Sequence, residues 1–358
     1  MRGGSPVIFV DLFPTLSRNA GTNVMFSIPK GKLKQYLYQF KVPLSYKNII
    51  AAIDSCLNDT PLPRNATGQV LIEIKRALEA YRTKEHNASK AHIQAEEALI
   101  TRAAELGNST AIALLCYSRL SDPDCSKSDM EDGGQLLKQL INAKFPLAYK
   151  VSADLAYKWG QPTAIGLYQK ALSCPDIEPQ TKIECWRSIG LIAFKTKDLM
   201  LSREAFSNAC ELAGPGQVPD CHFYLGQLRE TDRRASRQHL EIAAASGLSD
   251  AFIPLGMLLF NYFNEPLLAR QWLELALVTD ESGTAAIGLL DIAFSQNDKL
   301  LGEKMAKRIS AHKNSTELIA LRPHTVAHFV AKSPAHNQSH SHNPTAVKPV
   351  SLGNGRWN

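Results

Sequence analysis

The sequence predicts an all-α protein, an α-solenoid built from tetratricopeptide or Sel1-like helix-turn-helix repeats. Two observations predict this fold: one pattern of small and apolar residues recurs along the chain, and apolar residues follow a helical period through most of it. With 358 residues and a hydrophobic fraction of 44%, the chain can bury a substantial core. Repeat proteins of this kind present extended surfaces to other proteins, so the fold favours binding over catalysis.

The recurrence is clearest in two stretches that lie far apart in the chain. Their shared positions are Ala104, Gly107, Ala111 and Leu115 in the first stretch, and Ala244, Gly247, Ala251 and Leu255 in the second. We expect each glycine to adopt the left-handed conformation that ends one helix. The alanine that follows it then opens the next helix, and its small side chain lets the two helices approach closely.

The best single repeat runs from residue 183 to about residue 215. With Trp186 at the fourth position of the tetratricopeptide pattern, the later positions are filled by Ile189, Gly190, Ser202, Phe206 and Ala209. Bulky residues fill the gap between the two helices, while Gly190 and Ala209 lie where the backbones nearly touch. Pro215 follows as the helix breaker.

Six repeats align on the eighth position of this pattern. The residues there are Cys116, Ser152, Gly190, Gly226, Gly256 and Gly288, at intervals of 30 to 38 residues. The predicted core of the second helix is Ala164, Tyr168 and Ala171 in one repeat, Ser202, Phe206 and Ala209 in another, and Ala269, Trp272 and Ala276 in a third. Six repeats exceed the minimum of about three that a solenoid needs, and the irregular intervals are typical of Sel1-like arrays.

The sequence predicts five segments. They are a basic, disordered mitochondrial presequence at residues 1–32, an N-terminal helical cap at 33–92, the repeat solenoid at 93–312, a C-terminal helix or linker at 313–330, and a disordered tail rich in His, Ser and Asn at 331–358. Within the cap, the apolar period predicts helices at 47–56 and 70–80, separated by turn-forming residues at 59–68. Almost no apolar period remains beyond residue 331, so we expect disorder there.

Charge is distributed unevenly along the chain, whose net value is +6. Before residue 48, seven Lys and Arg residues stand against Asp11 alone, which is the composition of a mitochondrial transit peptide. A ragged terminus without a targeting role is the alternative. Residues 48–310 are mildly acidic, so we expect no nucleic acid partner. The longest later apolar stretch, 251–263, is too short to span a bilayer, and any membrane association should be peripheral.

Seven cysteines are present: Cys56, Cys116, Cys125, Cys174, Cys185, Cys210 and Cys221. Their number is odd, none forms a C-x-x-C pair, and most lie within apolar helical patterns, so we expect free thiols in a reducing compartment. Cys174/Cys185 and Cys210/Cys221 share a spacing of eleven residues, which invites comparison with the oxidised helical hairpins of the mitochondrial intermembrane space. Those hairpins use a different spacing.

Motifs of catalysis are absent from the sequence. It contains no Walker loop, no G-x-G-x-x-G after a strand, no H-E-x-x-H and no nucleophile elbow. We therefore expect neither an enzyme nor a cofactor. The imidazoles of His336, His340 and His342 are of the kind that zinc and copper bind, but a flexible tail would not fix their geometry, and we expect no metal site there.

Tetratricopeptide arrays bind extended or helical segments on the surface lined by the first helix of each repeat. The candidate partner-binding residues at exposed positions of these helices and their ends are Arg187, Lys195, Gln227, Met257, Asn261 and Tyr262. The alternative for each is an ordinary solvated side chain. As a set they predict where a partner lies.

Short segments in three parts of the chain carry a resemblance to a known family. They are Asn261-Tyr262-Phe263-Asn264 with Ala269-Arg270-Gln271-Trp272, then Ala103-Ala104-Glu105-Leu106-Gly107-Asn108, and Tyr38-Gln39-Phe40 with Leu44-Ser45-Tyr46. Through them the chain resembles, from about residue 33 to residue 310, the Mss-type factors of fungal mitochondria. These factors act in export of the C-terminal tail of cytochrome c oxidase subunit 2 through the inner membrane. The His-rich tail departs from the family's pattern.

The resemblance implies a non-catalytic, peripheral protein on the matrix face of the mitochondrial inner membrane. It also implies two protein partners, the tail of subunit 2 and an insertase of the YidC type. The basic N-terminal segment, the short apolar stretches and the thiols that we expect to be reduced agree with this location. The alternative is a Sel1-like adaptor in the endoplasmic reticulum or cytosol that serves protein degradation or signalling.

Overall fold

The computed structural model describes residues 29–85, 89–214, 216–229 and 231–330. In these ranges it contains 18 α-helices, one short 3-10 helix and no strand, which confirms the predicted all-α fold. The chain divides into two compact units, residues 1–185 and 186–358. Most of the predicted presequence, Pro215 and the whole predicted tail with its three histidines lie outside the described residues.

The helices follow one another through short connections. The first unit contains α1 (Lys30–Gln39), α2 (Tyr46–Asn58), α3 (Gly68–Lys84), α4 (Lys90–Glu105), α5 (Ser109–Leu120), α6 (Lys127–Asn142), α7 (Pro146–Lys158) and α8 (Ala164–Leu172). Helix α9 (Pro179–Lys195) crosses the division between the units. The second unit contains α10 (Leu199–Leu212), α11 (Pro219–Leu228), α12 (Arg233–Ala245), the 3-10 helix Ser249–Ala251, α13 (Phe252–Asn261), α14 (Pro266–Ala276), α15 (Thr284–Gln296), α16 (Lys299–Ser310), α17 (Ser315–Leu321) and α18 (Pro323–Val330).

Consecutive helices pack as pairs within each unit. In the first unit α3 packs on α4, α5 on α6, and α7 on α8. In the second unit α11 packs on α12, α13 on α14, and α15 on α16. This pairing confirms the predicted helix-turn-helix repeats.

The two helices predicted for the N-terminal cap are present as α2 and α3. The Ser45 hydroxyl accepts a hydrogen bond from the Asn48 amide at 3.3 Å where α2 begins, and the Thr67 hydroxyl accepts one from the Val70 amide at 3.4 Å where α3 begins. Side chains of this kind satisfy amides that have no partner within the helix. The residues between the two helices, 59–67, are non-helical as predicted.

The two predicted glycine stops are confirmed. Gly107 and Gly247 have φ values of +76° and +87°. In both turns the amide of the next residue donates to the carbonyl four residues before the glycine, at 3.1 Å. Lys144 and Lys197 also adopt left-handed φ values, +56° and +65°, after α6 and α9. Lysine gives no sequence signal for such a turn, so these two stops were not predicted.

Glycines at the eighth repeat position allow the paired helices to approach closely. A Cβ on Gly226 would lie 2.7 Å from Cγ of Leu240, which is closer than real contacts allow. The Ser236 hydroxyl donates to the Gly226 carbonyl at 2.7 Å, and the Ser202 hydroxyl donates to the Gly190 carbonyl at 3.1 Å. The same small-residue contact therefore recurs in consecutive repeats, as the pattern predicts.

The core position predicted for Trp272 is wrong. Trp272 is partly exposed and its ring lies 5.5 Å from that of Phe252, whereas Leu273 is completely buried. A Cβ on Gly256 would come within 2.7 Å of Leu273, and a gap this narrow has no room for an indole. The other predicted core residues of the second helices are buried: Ala164, Tyr168, Ala171, Ser202, Phe206, Ala209, Ala269 and Ala276.

The segment 313–330 forms two short helices that pack on the last repeat. Helix α17 packs on α16, and α18 packs on both α15 and α16. The ring of Phe329 in α18 lies against Gly302 in α16 and is almost completely buried. This segment is thus part of the second unit's core, while the boundaries of the five segments stay a prediction.

Candidate functional site

Three first helices of the second unit carry a strip of partly exposed, mostly apolar side chains. The fifth repeat position holds Arg187 in α9, Phe223 in α11 and Ile253 in α13, and the twelfth position holds Phe194 in α9 and Phe260 in α13. Each of these five residues keeps part of its surface exposed. Together these five residues form the first-helix strip.

Ring contacts fix the strip to the core of the unit. The ring centroids of Phe194 and Phe223 lie 4.8 Å and 5.4 Å from that of Tyr224. Tyr224 in turn stacks parallel on the buried ring of Phe206 at 5.1 Å, and burial raises the pKa of Tyr224. Rings held in place before binding lose little conformational entropy when a partner arrives, so they can act as anchors.

The charge at one end of the strip is only weakly neutralised. Arg187 Nε donates to Asp220 Oδ2 at 2.5 Å, although the Arg187 side chain keeps 48% of its exposure. Exposed ion pairs of this kind contribute about 1 kcal/mol or less. Lys195 is exposed at the end of α9 and contributes a positive charge near Tyr224. An acidic group of a partner can therefore replace Asp220 as the partner of Arg187 at little cost.

The structure places the six predicted binding residues in different environments. Four of them lie on first helices and keep part of their surface exposed: Arg187, Lys195, Gln227 and Asn261. Met257 is only 4% exposed, so its predicted exposure is wrong. Its side chain packs against the next repeat, where a Cβ on Gly288 would lie 2.7 Å from Met257 Cε.

Tyr262 lies on the turn after α13 and not on the strip. The guanidinium carbon of Arg233 is 3.5 Å from the centroid of the Tyr262 ring. Beside it, Arg237 lies 4.8 Å from the Phe263 ring and pairs with Glu265 at 2.7 Å. These arginines come from α12, so the turn joins neighbouring repeats, and a role for Tyr262 in binding stays a prediction.

The strip does not continue into α15. The equivalent residues there, Ala285 at the fifth position and Ile292 at the twelfth, are completely buried. Helix α18 packs on α15, and the rings of Phe294 and Phe329 lie 6.4 Å apart. Among the described helices of the second unit, the strip therefore ends at α13.

Sequence reasoning missed the aromatic residues of the strip. The signal that identifies them is the repeat register, because Phe223 precedes Gly226 by three residues and Phe260 follows Gly256 by four. Apart from Arg187, the predicted binding residues do not lie at the fifth or twelfth repeat position, where the aromatic residues of the strip are found. Counting from the glycine at the eighth position would have selected them.

A second candidate surface is the α1–α2 groove of the first unit, with a volume of about 660 Å³. Its walls include Lys34, Leu37, Tyr38, Lys41, Leu44 and Tyr46. Tyr38 is 87% exposed, and the ammonium groups of Lys30 and Lys34 lie 5.4 Å and 5.8 Å from the centroid of the Tyr46 ring. The groove therefore offers apolar walls, aromatic rings and positive charge.

This combination suits a polypeptide segment that carries apolar and acidic side chains. Among the described residues, no set of three or more His, Cys, Asp or Glu side chains is placed to hold a metal ion. In the same part of the chain, every helix is too short or too polar to cross a bilayer. Binding to other proteins is the chemistry that these two surfaces support.

The paired helices and their exposed first-helix side chains define a helical-repeat protein of the tetratricopeptide type. Residues 23–108 match the family described as the MSS2 N-terminal domain. The chain is 26% identical over 213 residues to Protein MSS2, mitochondrial, of Saccharomyces cerevisiae, and the match covers 56% of this chain and 60% of that protein. The chain thus carries an MSS2 N-terminal domain and is a distant homologue of the yeast mitochondrial protein, which confirms the resemblance.

Two solved structures are similar at the level of shape. One is PilF of Pseudomonas aeruginosa, with a TM-score of 0.43, 15% identity and coverage of 62% of this chain and 96% of that one. The other is yeast Tom70, with a TM-score of 0.42, 14% identity and coverage of 88% and 67%. The descriptions of these matches and of the yeast homologue name no catalytic family.

Proposed function

We propose that this protein is a non-catalytic assembly factor on the matrix face of the mitochondrial inner membrane. In this role it assists export of the C-terminal domain of cytochrome c oxidase subunit 2 by binding other proteins. Its partners are the tail of subunit 2 and an insertase of the YidC type, and its membrane association is peripheral. The observation that carries the proposal is the homology to yeast mitochondrial MSS2, together with the MSS2 N-terminal domain at residues 23–108.

The two candidate surfaces suit different tasks in this proposal. The first-helix strip carries spaced aromatic anchors beside a weakly paired arginine, and it suits an extended tail with apolar and acidic residues. The α1–α2 groove lies within the segment that matches the MSS2 N-terminal domain, and Tyr38 and Tyr46 line it. We assign the groove to docking on the insertase.

An import assay separates this function from its alternative. The labelled full chain is incubated with energised mitochondria, and we expect cleavage of the N-terminal segment and protection from added protease. A chain that is neither cleaved nor protected would favour the Sel1-like adaptor of the endoplasmic reticulum or cytosol.

Substitutions test the two surfaces. Phe223→Ala with Phe260→Ala should weaken binding of a subunit 2 tail peptide by about tenfold or more, since buried aromatic anchors dominate such interfaces. Tyr38→Ala with Lys41→Glu should reduce co-purification of the insertase and leave tail binding unchanged. Tyr117→Ala is the matched control, because Tyr117 is 37% exposed and belongs to neither surface. Equal loss of both partners in all three variants would contradict the assignment.

A further inference from the structure

Positive charge is concentrated around the α1–α2 groove. Lys34 and Lys41 line the groove, and Lys47 lies exposed in the first turn of α2. We term these three residues the α1–α2 lysines, and all of them lie beyond the predicted presequence. Residues 29–53 contain no Asp, Glu or Arg, and the described walls of the groove include no acidic side chain. This part of the chain therefore carries lysine charge without acidic neighbours in the sequence.

The α1–α2 lysines are not neutralised within the described part of the chain. Lys32 of α1 pairs with Glu85, so a lysine of this helix is neutralised where a carboxylate is within reach. Among the described residues, no carboxylate forms an ion pair with any of the three α1–α2 lysines. The Lys34 ammonium instead lies 5.8 Å from the centroid of the Tyr46 ring, which leaves the charge open to an external anion.

An aromatic ring is exposed to water beside these charges. Tyr38 is 87% exposed and lines the groove together with Lys34 and Lys41. A tyrosine ring has an apolar body and a polar hydroxyl, and such rings are enriched at membrane–water interfaces. Lysine suits the same place, because its apolar stem can lie along apolar surface while its ammonium reaches the headgroups. Lysines and an exposed tyrosine on one surface therefore match the boundary of a bilayer.

The choice of lysine favours a lipid surface over a folded protein. Interfaces between proteins are enriched in arginine and depleted in lysine, because the guanidinium forms paired hydrogen bonds with a carboxylate in a fixed position. A lysine ammonium is a compact charge on a flexible stem, and it suits phosphates without fixed positions, as in a fluid bilayer. The first-helix strip differs in this respect, since its cation is Arg187.

We propose that the α1–α2 lysines bind the anionic headgroups of a phospholipid bilayer, with the Tyr38 ring at the level of the headgroups. This inference deepens the proposed function and rests on it for the place of action, because it makes direct contact with lipid the source of the peripheral association. The groove then lies at the membrane surface, where an insertase embedded in that membrane presents its soluble parts. Contact with lipid and docking on the insertase are therefore compatible.

Sedimentation of the purified full chain with vesicles tests the proposal. One set of vesicles is phosphatidylcholine alone, and the other contains equal parts of phosphatidylcholine and the anionic lipid phosphatidylglycerol. We expect the protein to bind the anionic vesicles only. Added salt should weaken that binding, because the Debye length falls from about 10 Å at 0.1 M to about 3 Å at 1 M.

Substitutions connect the binding to this surface. Lys34→Gln with Lys47→Gln removes two charges and leaves the residues substituted in the insertase test in place. Each lysine contributes about fivefold to attraction by an anionic surface, so this variant should bind the anionic vesicles about 25-fold more weakly. The matched control is Lys127→Gln with Lys138→Gln, because both lysines are exposed on α6 and their loss gives the same net charge. The control should bind as the unaltered protein does.

Three results would overturn the proposal: no binding to either kind of vesicle, equal binding to both kinds, or equal binding by the Lys34→Gln, Lys47→Gln variant and its control. In the last case, reduced co-purification of the insertase with the variant would assign the lysines to a protein partner. If the double variant fails to fold, Lys34→Gln alone should weaken vesicle binding about fivefold. Absent vesicle binding with normal import would contradict this inference alone, whereas absent import would contradict the proposed function and leave the vesicle result unchanged.

Discussion

Nε of Arg322 lies 3.0 Å from each carboxylate oxygen of Asp291 and donates to both. Asp291 is on α15 with only 5% of its side chain exposed, and Arg322 stands between α17 and α18. Burial raises the pKa of Asp291, against the effect of the nearby guanidinium. The pair therefore connects the C-terminal helices to the last repeat through a charge that has little access to water.

Removing the guanidinium should cost far more than removing an exposed one. Arg322→Ala leaves Asp291 buried without its partner, and we expect a loss of about 3 kcal/mol in the free energy of unfolding. Arg76→Ala is the control, because Arg76 pairs with Glu178 at 2.7 Å while both side chains are substantially exposed. That change should cost about 1 kcal/mol or less in urea denaturation. Equal losses in the free energy of unfolding would show that the buried pair contributes no more to stability than the exposed pair.

A methyl group at the eighth repeat position should separate the paired helices. The Cβ of Gly226→Ala would meet Leu240 at 2.7 Å and the Ser236 carbonyl oxygen at 3.3 Å, and we expect a destabilisation of about 2 kcal/mol from overpacking. Gly134→Ala in α6 is the matched control, since nothing lies within 4 Å of its added Cβ. That control should gain about 0.5–1 kcal/mol, because alanine favours helix over glycine. Thermal denaturation of both variants checks the difference, and a stable Gly226→Ala protein would contradict the packing described.

Stability should fall in mild acid because of His239. Burial, the neighbouring His222 and Arg229 lower the pKa of His239 to about 4, below the value of about 6.5 expected in the unfolded chain. The unfolded state therefore binds the proton more readily, and the stabilisation present above pH 6.5 is lost as the pH falls towards 4. Because His239 is only partly buried, we expect a loss on the order of 1 kcal/mol.

His239→Gln should weaken this pH dependence. The melting temperature of the variant is measured at pH 7.5 and at pH 5. The control is His324→Gln, which replaces an exposed histidine of α18. His324→Gln should keep the dependence of the unaltered protein. If the melting temperature of His239→Gln depends on pH as strongly as that of the unaltered protein, groups other than His239 cause the dependence.

The sequence predicted the repeated contacts well where a residue type has one structural meaning. Gly107 and Gly247 end helices, and Gly190 and Gly226 face the second helix of their pair, as the pattern requires. The prediction failed where the residue type does not indicate the backbone conformation. Lys197 adopts the same left-handed φ as the glycines, a conformation that is unfavourable for a residue with a Cβ, so lysine alone does not indicate the turn.

The candidate surfaces were harder to predict than the fold. Met257 and Phe260 are close in sequence on α13, yet the first faces the next repeat and the second remains partly exposed. Which side of a first helix is covered depends on the neighbouring pair, and hydrophobicity alone does not distinguish an anchor from a core residue.

We propose that this protein assists export of the C-terminal tail of cytochrome c oxidase subunit 2. The most direct measurement is protease access to that tail in mitoplasts, which have lost the outer membrane, from a host strain lacking the gene. Subunit 2 should be synthesised normally, its tail should stay protected on the matrix side, and oxidase activity should be lost. Restoring the full chain should make the tail accessible to protease again. A tail that is fully digested in the deletion strain, with normal oxidase activity, would contradict a role of this protein in export.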